Sequence, residues 1–189
     1  MAKVNKASFY ERSQPKHWDT SPLNFAALFD THHPRLYAYV RSQVADQDTA
    51  EDLTAAAFER AFSRSHTYDP AKASFATWLF RIAHNLVINH YQATSRKPVP
   101  YELDEAAEVS TADLSPEQQL LRQEQHRILR DTVTTLSERD QEIIQLKFFG
   151  RLTNREIAEV MDLNEKSVSV IIFRALQKLK VHLQNWESS

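Results

Sequence analysis

Within residues 164–174, helical spacing turns Asn164, Glu165, Lys166, Ser169, Val170, Phe173 and Arg174 outward, opposite Val168, Ile171, Ala175 and Leu179. That mixture suits the edge of a base pair: the cations bond guanine or phosphate, and Val170 or Phe173 meets a thymine methyl. For each residue taken singly, solvated surface or edge packing is an equal alternative. Upstream, Arg151, Asn154 and Arg155 stand at the start of a short preceding helix, where amides and cations suit phosphate.

Two short helices crossing at a steep angle would hold those side chains. Ile157, Ala158, Met161, Leu163, Val168 and Ile171 fall where such helices face each other, and Ala158 is the tight point. Thr153 with Glu156 forms a capping box, and Asn164 is a natural N-cap for the second helix. The turn between them carries Asp162 where a glycine is usual, which predicts a positive φ. The pattern is that of a DNA-reading helix-turn-helix; a plain helical hairpin in a bundle core is the alternative.

A second constellation lies upstream. Residues 70–101 contain no Asp or Glu, yet carry Lys72, Arg81, Arg96 and Lys97, with His84 and His90 able to add charge. Interleaved with Phe75, Trp78, Phe80 and Tyr91, these cations suit single-stranded DNA, where charge tracks the backbone and rings stack on bases. Asn85 offers both donor and acceptor to a base edge. Packing competes for the aromatics, and for Trp78 it is the favoured reading, since Leu79, Ile82, Leu86 and Ile88 continue an apolar surface around it.

Composition bounds the architecture. The chain has 189 residues, one glycine, no cysteine and a net charge near −2. A single glycine, Gly150, argues against glycine-dependent sheets and phosphate loops and for an all-α chain. Without cysteine there are no disulfides or zinc-thiolate sites. No apolar run approaches about 18–20 residues, so no membrane insertion is expected, and the polar first twenty residues are unlike a signal peptide. Cations outnumber acids seven to four over residues 147–182, so the near-neutral sum hides a basic segment.

Periodicity predicts a helix over residues 24–44, with Pro34 as a break or a fresh first turn. The next helix is capped by Asp48 with Glu51 in a box-like start, and its buried stripe is Leu53, Ala57, Phe58, Ala61 and Phe62. A loop over residues 63–74 holds Tyr68, Asp69 and Pro70, and a long helix follows over residues 75–91. Residues 98–114 are proline-containing, acidic and without a cation, which reads as a linker. Further helices are expected over residues 116–134 and 138–149, then the helix-turn-helix. The organisation is a polar leader (1–22), a first helical domain (23–97), an acidic flexible linker (98–114) and a second helical domain (115–185).

An enzyme is disfavoured: there is no phosphate loop or nucleophile-base arrangement, and the histidines at 32, 33, 66, 84 and 90 lack the spacing of helical zinc sites. No metal or cofactor is expected.

The order of motifs resembles the sigma-70 family of bacterial RNA polymerase subunits, in its extracytoplasmic-function (ECF) group. FAALFDTHHPRLYAYVRSQ resembles the opening of region 2, DTAEDLTAAAFERAF its polymerase-binding helix and FATWLFRIAHNLVINHY its promoter-melting segment. LSERDQEIIQLKFFGRLTNREIAEVMDLNEKSVSVIIFRALQKLK resembles region 4. The resemblance implies a non-enzymatic initiation factor that binds the beta and beta-prime subunits of core RNA polymerase through Asp48, Glu51, Asp52, Phe58, Glu59 and Arg60. It implies −10 promoter contacts by Tyr68, Lys72, Trp78, Arg81, His84, Asn85, Arg96 and Lys97, with the loop over residues 65–74 receiving a flipped base. It also implies −35 contacts by the helix-turn-helix residues named above, an anti-sigma partner, and a cytoplasmic location that becomes nucleoid-associated on polymerase.

The chain departs from the family pattern in several places. Ala55 and Ala56 stand where relatives often carry Gln-Glu, His84 where arginine is common, and Ser169, Val170 and Ile171 where Lys-Ser-Arg is frequent. Two other readings remain: a helix-turn-helix regulator that acts without polymerase, and a sigma-like mimic that sequesters an anti-sigma factor.

Overall fold

The computed structural model describes residues 22–94, 115 and 133–187. Among them the chain is all-α, with helices α1 (Pro22–Gln43), α2 (Gln47–Ser63), α3 (Phe75–Thr94), α4 (Glu138–Phe148), α5 (Asn154–Val160) and α6 (Glu165–Glu187), and a 3-10 turn at Ser65–Thr67. The linker over residues 98–114, nearly all of the leader, most of the helix expected over 116–134, and Arg96 and Lys97 lie outside the described residues.

Pro34 sits inside α1 and does not divide it. Proline removes one helical hydrogen bond, that of the Asp30 carbonyl, and Asp30 is exposed, so water can replace the lost donor. The segments on both sides of it pack on the same core: Phe25 and Leu28 before it, Leu36, Tyr39 and Val40 after it. Helix α2 is capped by Asp46, not Asp48. The Asp46 carboxylate accepts from the Thr49 amide at 2.7 Å, and these bonds hold its pKa below the usual range. The cap expected from the sequence, Asp48, lies two residues too late; the helix starts at Gln47, with Ala50 and Thr54 buried. Phe62, expected in the buried stripe, is half exposed against Phe25, with ring centroids 5.0 Å apart.

Helices α1–α3 form one bundle and α4–α6 a second, and their buried side chains join in one continuous core. Phe80 of α3 is fully buried, 5.5 Å from the Tyr39 ring and with the Arg35 guanidinium 5.6 Å from its centroid. Across the seam it faces Gly150, where an added Cβ would lie 2.8 Å from Phe80 Cε1 and 2.7 Å from the Leu146 carbonyl oxygen. The one glycine is therefore a close-approach glycine. The positive φ at this turn belongs instead to Arg151, at 52°, while the Leu152 amide donates to the Leu146 carbonyl at 3.2 Å and closes the end of α4.

His32 of α1 is buried beside Arg35 and Phe75. Burial, and then the Arg35 charge, lower its pKa to about 4, while Glu156 acts in the opposite sense. The folded state then binds fewer protons than the unfolded state between the unfolded value near 6.5 and about 4. His32 stabilises the fold fully above that window, and its contribution is lost as pH falls through it. The loss amounts to about 3 kcal/mol at the acid end, at about 1.4 kcal/mol per pH unit. Urea unfolding from pH 7 to 4 should therefore show a steeper decline for the natural chain than for His32→Gln; parallel profiles would remove His32 from the acid sensitivity.

Candidate nucleic-acid interface

The helix-turn-helix forms as its residues dictate. Thr153 accepts from the Glu156 amide at 3.2 Å and Glu156 Oε2 accepts from the Thr153 amide at 2.9 Å, a reciprocal capping box at the start of α5. Asp162 has φ of 54°, as the turn requires. Asn164 Oδ1 accepts from the Ser167 amide at 2.8 Å and caps α6. Between the two helices, Ile157, Ala158 and Val168 are buried, with Met161, Leu163 and Ile171 packed partly against them. The inward line of α6 differs slightly from expectation: Ile172 is buried and Ile171 only partly so.

The outward face of α6 is open. Asn164, Glu165, Lys166, Ser169, Val170, Phe173 and Arg174 are all exposed, Phe173 by 63%. Lys166 and Arg174 are about 12 Å apart along the axis at 1.5 Å per residue, a span matching the width of a major groove. The start of α5 is braced against this face: Lys147 Nζ donates to Asn154 Oδ1 at 2.9 Å, and Asn154 Nδ2 donates to Ser169 Oγ at 3.0 Å. Asn154 thus positions one helix on the other. Lys147, absent from the sequence-derived set, is drawn in through it. Arg151 and Arg155 are exposed, the latter 3.1 Å from Glu159.

In the first domain the predicted strand-contacting set divides. Asn85 is exposed, and Lys72 is exposed with Asp69 at 3.2 Å. Tyr68 is buried: its hydroxyl donates to the Ala73 carbonyl at 3.1 Å, and its ring lies 5.8 Å from Phe75 and 5.1 Å from Trp78. Trp78 is half-buried with one face in that cluster, so here these two rings serve packing. The Arg81 guanidinium, though exposed, donates to the Glu159 carbonyl of α5, and His84 Nδ1 meets Glu142 Oε1 of α4.

On α2, Asp48, Glu51, Asp52, Glu59 and Arg60 are exposed along one stretch of helix. Phe58 is not: it is buried among Phe25, Phe29 and His33, because its position in the stripe faces α1. The apolar members that reach the surface here are Phe62 and Phe29, 49% and 39% exposed. Nothing in the alternation separated Phe58 from Phe62; the end of the α1 contact does. Among the described residues no group of side chains could hold a metal ion.

Comparison with known proteins accords with this architecture. The sigma-70 region 2 family matches residues 28–97, and the sigma-70 region 4 family matches residues 126–179. The chain is 33% identical over 155 residues to the ECF RNA polymerase sigma factor BldN of Streptomyces coelicolor, an alignment covering 82% of this chain but 58% of that protein. It is 30% identical over 161 residues to the ECF RNA polymerase sigma factor RpoE of Cereibacter sphaeroides, covering 84% and 86%. Similar solved folds include CnrH in complex with the cytosolic domain of CnrY (TM-score 0.61, 24% identity, 88% of this chain and 92% of that one). Another is the sigma factor RpoE with the anti-sigma factor NepR from Bartonella quintana (TM-score 0.65, 18% identity, 85% and 97%). With both regions matched in order and identity sustained across most of its length, the chain belongs to the sigma-70 family and to its extracytoplasmic-function group.

Proposed function

We infer that this chain is a promoter-specificity subunit: it binds core RNA polymerase through the exposed acidic stretch of α2, reads the −35 element with α6 and engages the melted −10 strand with α3. The observation that carries this reading is the open face of α6, with Lys166 and Arg174 about a groove width apart, in the same chain as a helix free of acids. The −10 contacts fall to Lys72, Asn85, Arg81 and His84, together with Arg96 and Lys97, which follow α3 in sequence. An anti-sigma factor is a further partner by extension from the solved neighbours, whose own structures contain CnrY and NepR. The place of action is the cytoplasm, at the nucleoid once polymerase is bound, which accords with the lack of any described helix long and apolar enough to cross a membrane.

Run-off transcription with purified bacterial core polymerase, on a library of promoters from one genome, tests the reading. Specific transcripts are expected, together with a one-to-one complex on gel filtration. Arg174→Ala and Lys166→Ala should weaken promoter binding by about 1–3 kcal/mol where the contact is to a base. A phosphate contact would instead weaken all sequences alike and flatten the salt dependence. No complex with core polymerase at micromolar concentration and low salt would end this assignment.

A further inference from the structure

An aromatic patch lies at the surface where α1 and α2 meet. Phe25, Phe29 and His33 follow one another at four-residue spacing along α1 and so share a face. Phe58 of α2 packs against all three, with ring centroids 6.3, 4.7 and 6.1 Å from theirs. Phe62, one turn further along α2, meets Phe25 at 5.0 Å. Single phenylalanines at a surface are ordinary, but Phe29 and Phe62, 39% and 49% exposed, belong to one ring cluster and form one apolar face.

The patch runs on into charge. On α2, Asp48, Glu51, Asp52, Ala55, Glu59 and Phe62 recur every three or four residues and fall on one exposed stripe. Among the described residues no cation pairs with these four carboxylates, and Glu51 accepts only from Gln47 Nε2 at 2.8 Å. The stripe is therefore a row of unpaired acids that ends on aromatic rings, and one of those rings, Phe25, stands in the first turn of α1.

The chain carries a complement to this surface. Residues 1–21, which lead into α1 and lie outside the described residues, hold Lys3, Lys6, Arg12 and Lys16 against Glu11 and Asp19, with Phe9, Tyr10 and Trp18 among them. We propose that this leader docks in cis on the α1–α2 patch, its aromatic side chains on the Phe29 and Phe62 rings and its cations along the acidic stripe, and so competes with polymerase for α2. The docking stands on the patch and its charge; only the competition rests on the sigma-factor reading. Length permits it: Phe62 to Asp48 is about 21 Å at 1.5 Å per residue, and the extended leader reaches about 70 Å. Tethering favours it, because a short linker holds two surfaces at about millimolar effective concentration. The segment over residues 98–114 is a poor occupant, since it is acidic without a cation and would be repelled by the stripe.

Carbodiimide coupling of glycine ethyl ester to the full-length protein, read by mass spectrometry, measures how accessible each carboxylate is. Two leader variants supply the comparison: Lys3→Gln, Lys6→Gln, Arg12→Gln and Lys16→Gln combined, and Phe9→Ser, Tyr10→Ser and Trp18→Ser combined. Both sets of substitutions lie outside every described helix, so circular dichroism should not change. Labelling of Asp48, Glu51, Asp52 and Glu59 should rise about threefold in either variant, as the tethered contact is lost. Glu138 and Glu165, exposed on α4 and α6, should keep their rates. The aromatic variant, which alters no charge and so leaves electrostatic steering intact, should associate with core polymerase about threefold faster, because apparent binding scales with the uncovered fraction. Labelling of the stripe that ignores both variants would overturn the docking, and unchanged polymerase association beside altered labelling would overturn the competition. If labelling responds but core polymerase binds none of these proteins, the sigma-factor reading fails and the docking stands.

Discussion

Phe80→Ala is expected to lower the unfolding free energy by about 3–5 kcal/mol, the range for truncating a fully buried aromatic ring. It should do so in both domains at once. On its own side the ring packs against Tyr39 and lies under the Arg35 guanidinium; on the far side it fills the space that Gly150 leaves at the end of α4. Removing it leaves a cavity on the line where the two bundles share their core, and Arg35 loses the face over which its charge is held. Hydrogen exchange reports each half separately: amide protection should fall in α3 and in α5, although α5 is far away in sequence. Phe80→Leu, which keeps most of the volume, should lose much less. Natural protection in α5 of Phe80→Ala would show that the second domain does not lean on this ring.

What could be read from the residues was whatever local chemistry decides. The capping box at Thr153 and Glu156, the cap at Asn164 and the positive φ at Asp162 each depend on groups a few positions apart, and each stands where expected. The outward face of α6 followed from helical spacing for the same reason. Where two carboxylates lie two positions apart, local chemistry misled: Asp48 reads as the cap, but Asp46 also suits one and is the residue that caps α2. Pro34 was read as a possible break because its cost is local, whereas the packing that keeps α1 whole comes from α2 and α3.

The seam between the domains was invisible for a deeper reason. Ser74, Arg81 and His84 meet partners from 58 to 82 positions away, and no periodicity encodes such a pairing. Arg81 and His84, two of the residues that read as a track for single-stranded DNA, reach α5 and α4 instead. A positive φ at Arg151, next to the only glycine, was equally unreadable: Gly150 is spent on the approach of Phe80, and the turn falls to the next residue. The seam also recasts Glu156. Burial would raise its carboxyl pKa, but hydrogen bonds from Thr153 and Ser74 and the charge of Arg35 outweigh that and hold it lower. One carboxylate therefore both caps α5 and ties it to the first domain.

On the proposed −35 reading, Ala158→Leu should abolish promoter-directed transcription although Ala158 is buried and no part of the exposed α6 face. Its side chain is buried where α5 and α6 cross, beside Ile157 and Val168, and its carbonyl accepts from the Leu163 amide at 2.8 Å across the turn. Three more heavy atoms there have nowhere to go without pushing the helices apart, and overpacking of this kind costs about 1–3 kcal/mol. Function should suffer more than stability. On the proposed −35 reading, Lys166, Ser169 and Arg174 would reach base edges only with α6 held at its present angle, and a displacement of about 1 Å is enough to break bidentate geometry. Ala158→Gly serves as the counterpart: it costs about 1 kcal/mol of helix propensity but preserves the spacing, so run-off activity should survive at temperatures where the chain is folded. Circular dichroism fixes the folded fraction of each variant and run-off transcription reads the result. A folded Ala158→Leu protein with natural activity would show that the crossing of α5 and α6 does not aim the reading face, and the −35 assignment of α6 would lose its geometric basis.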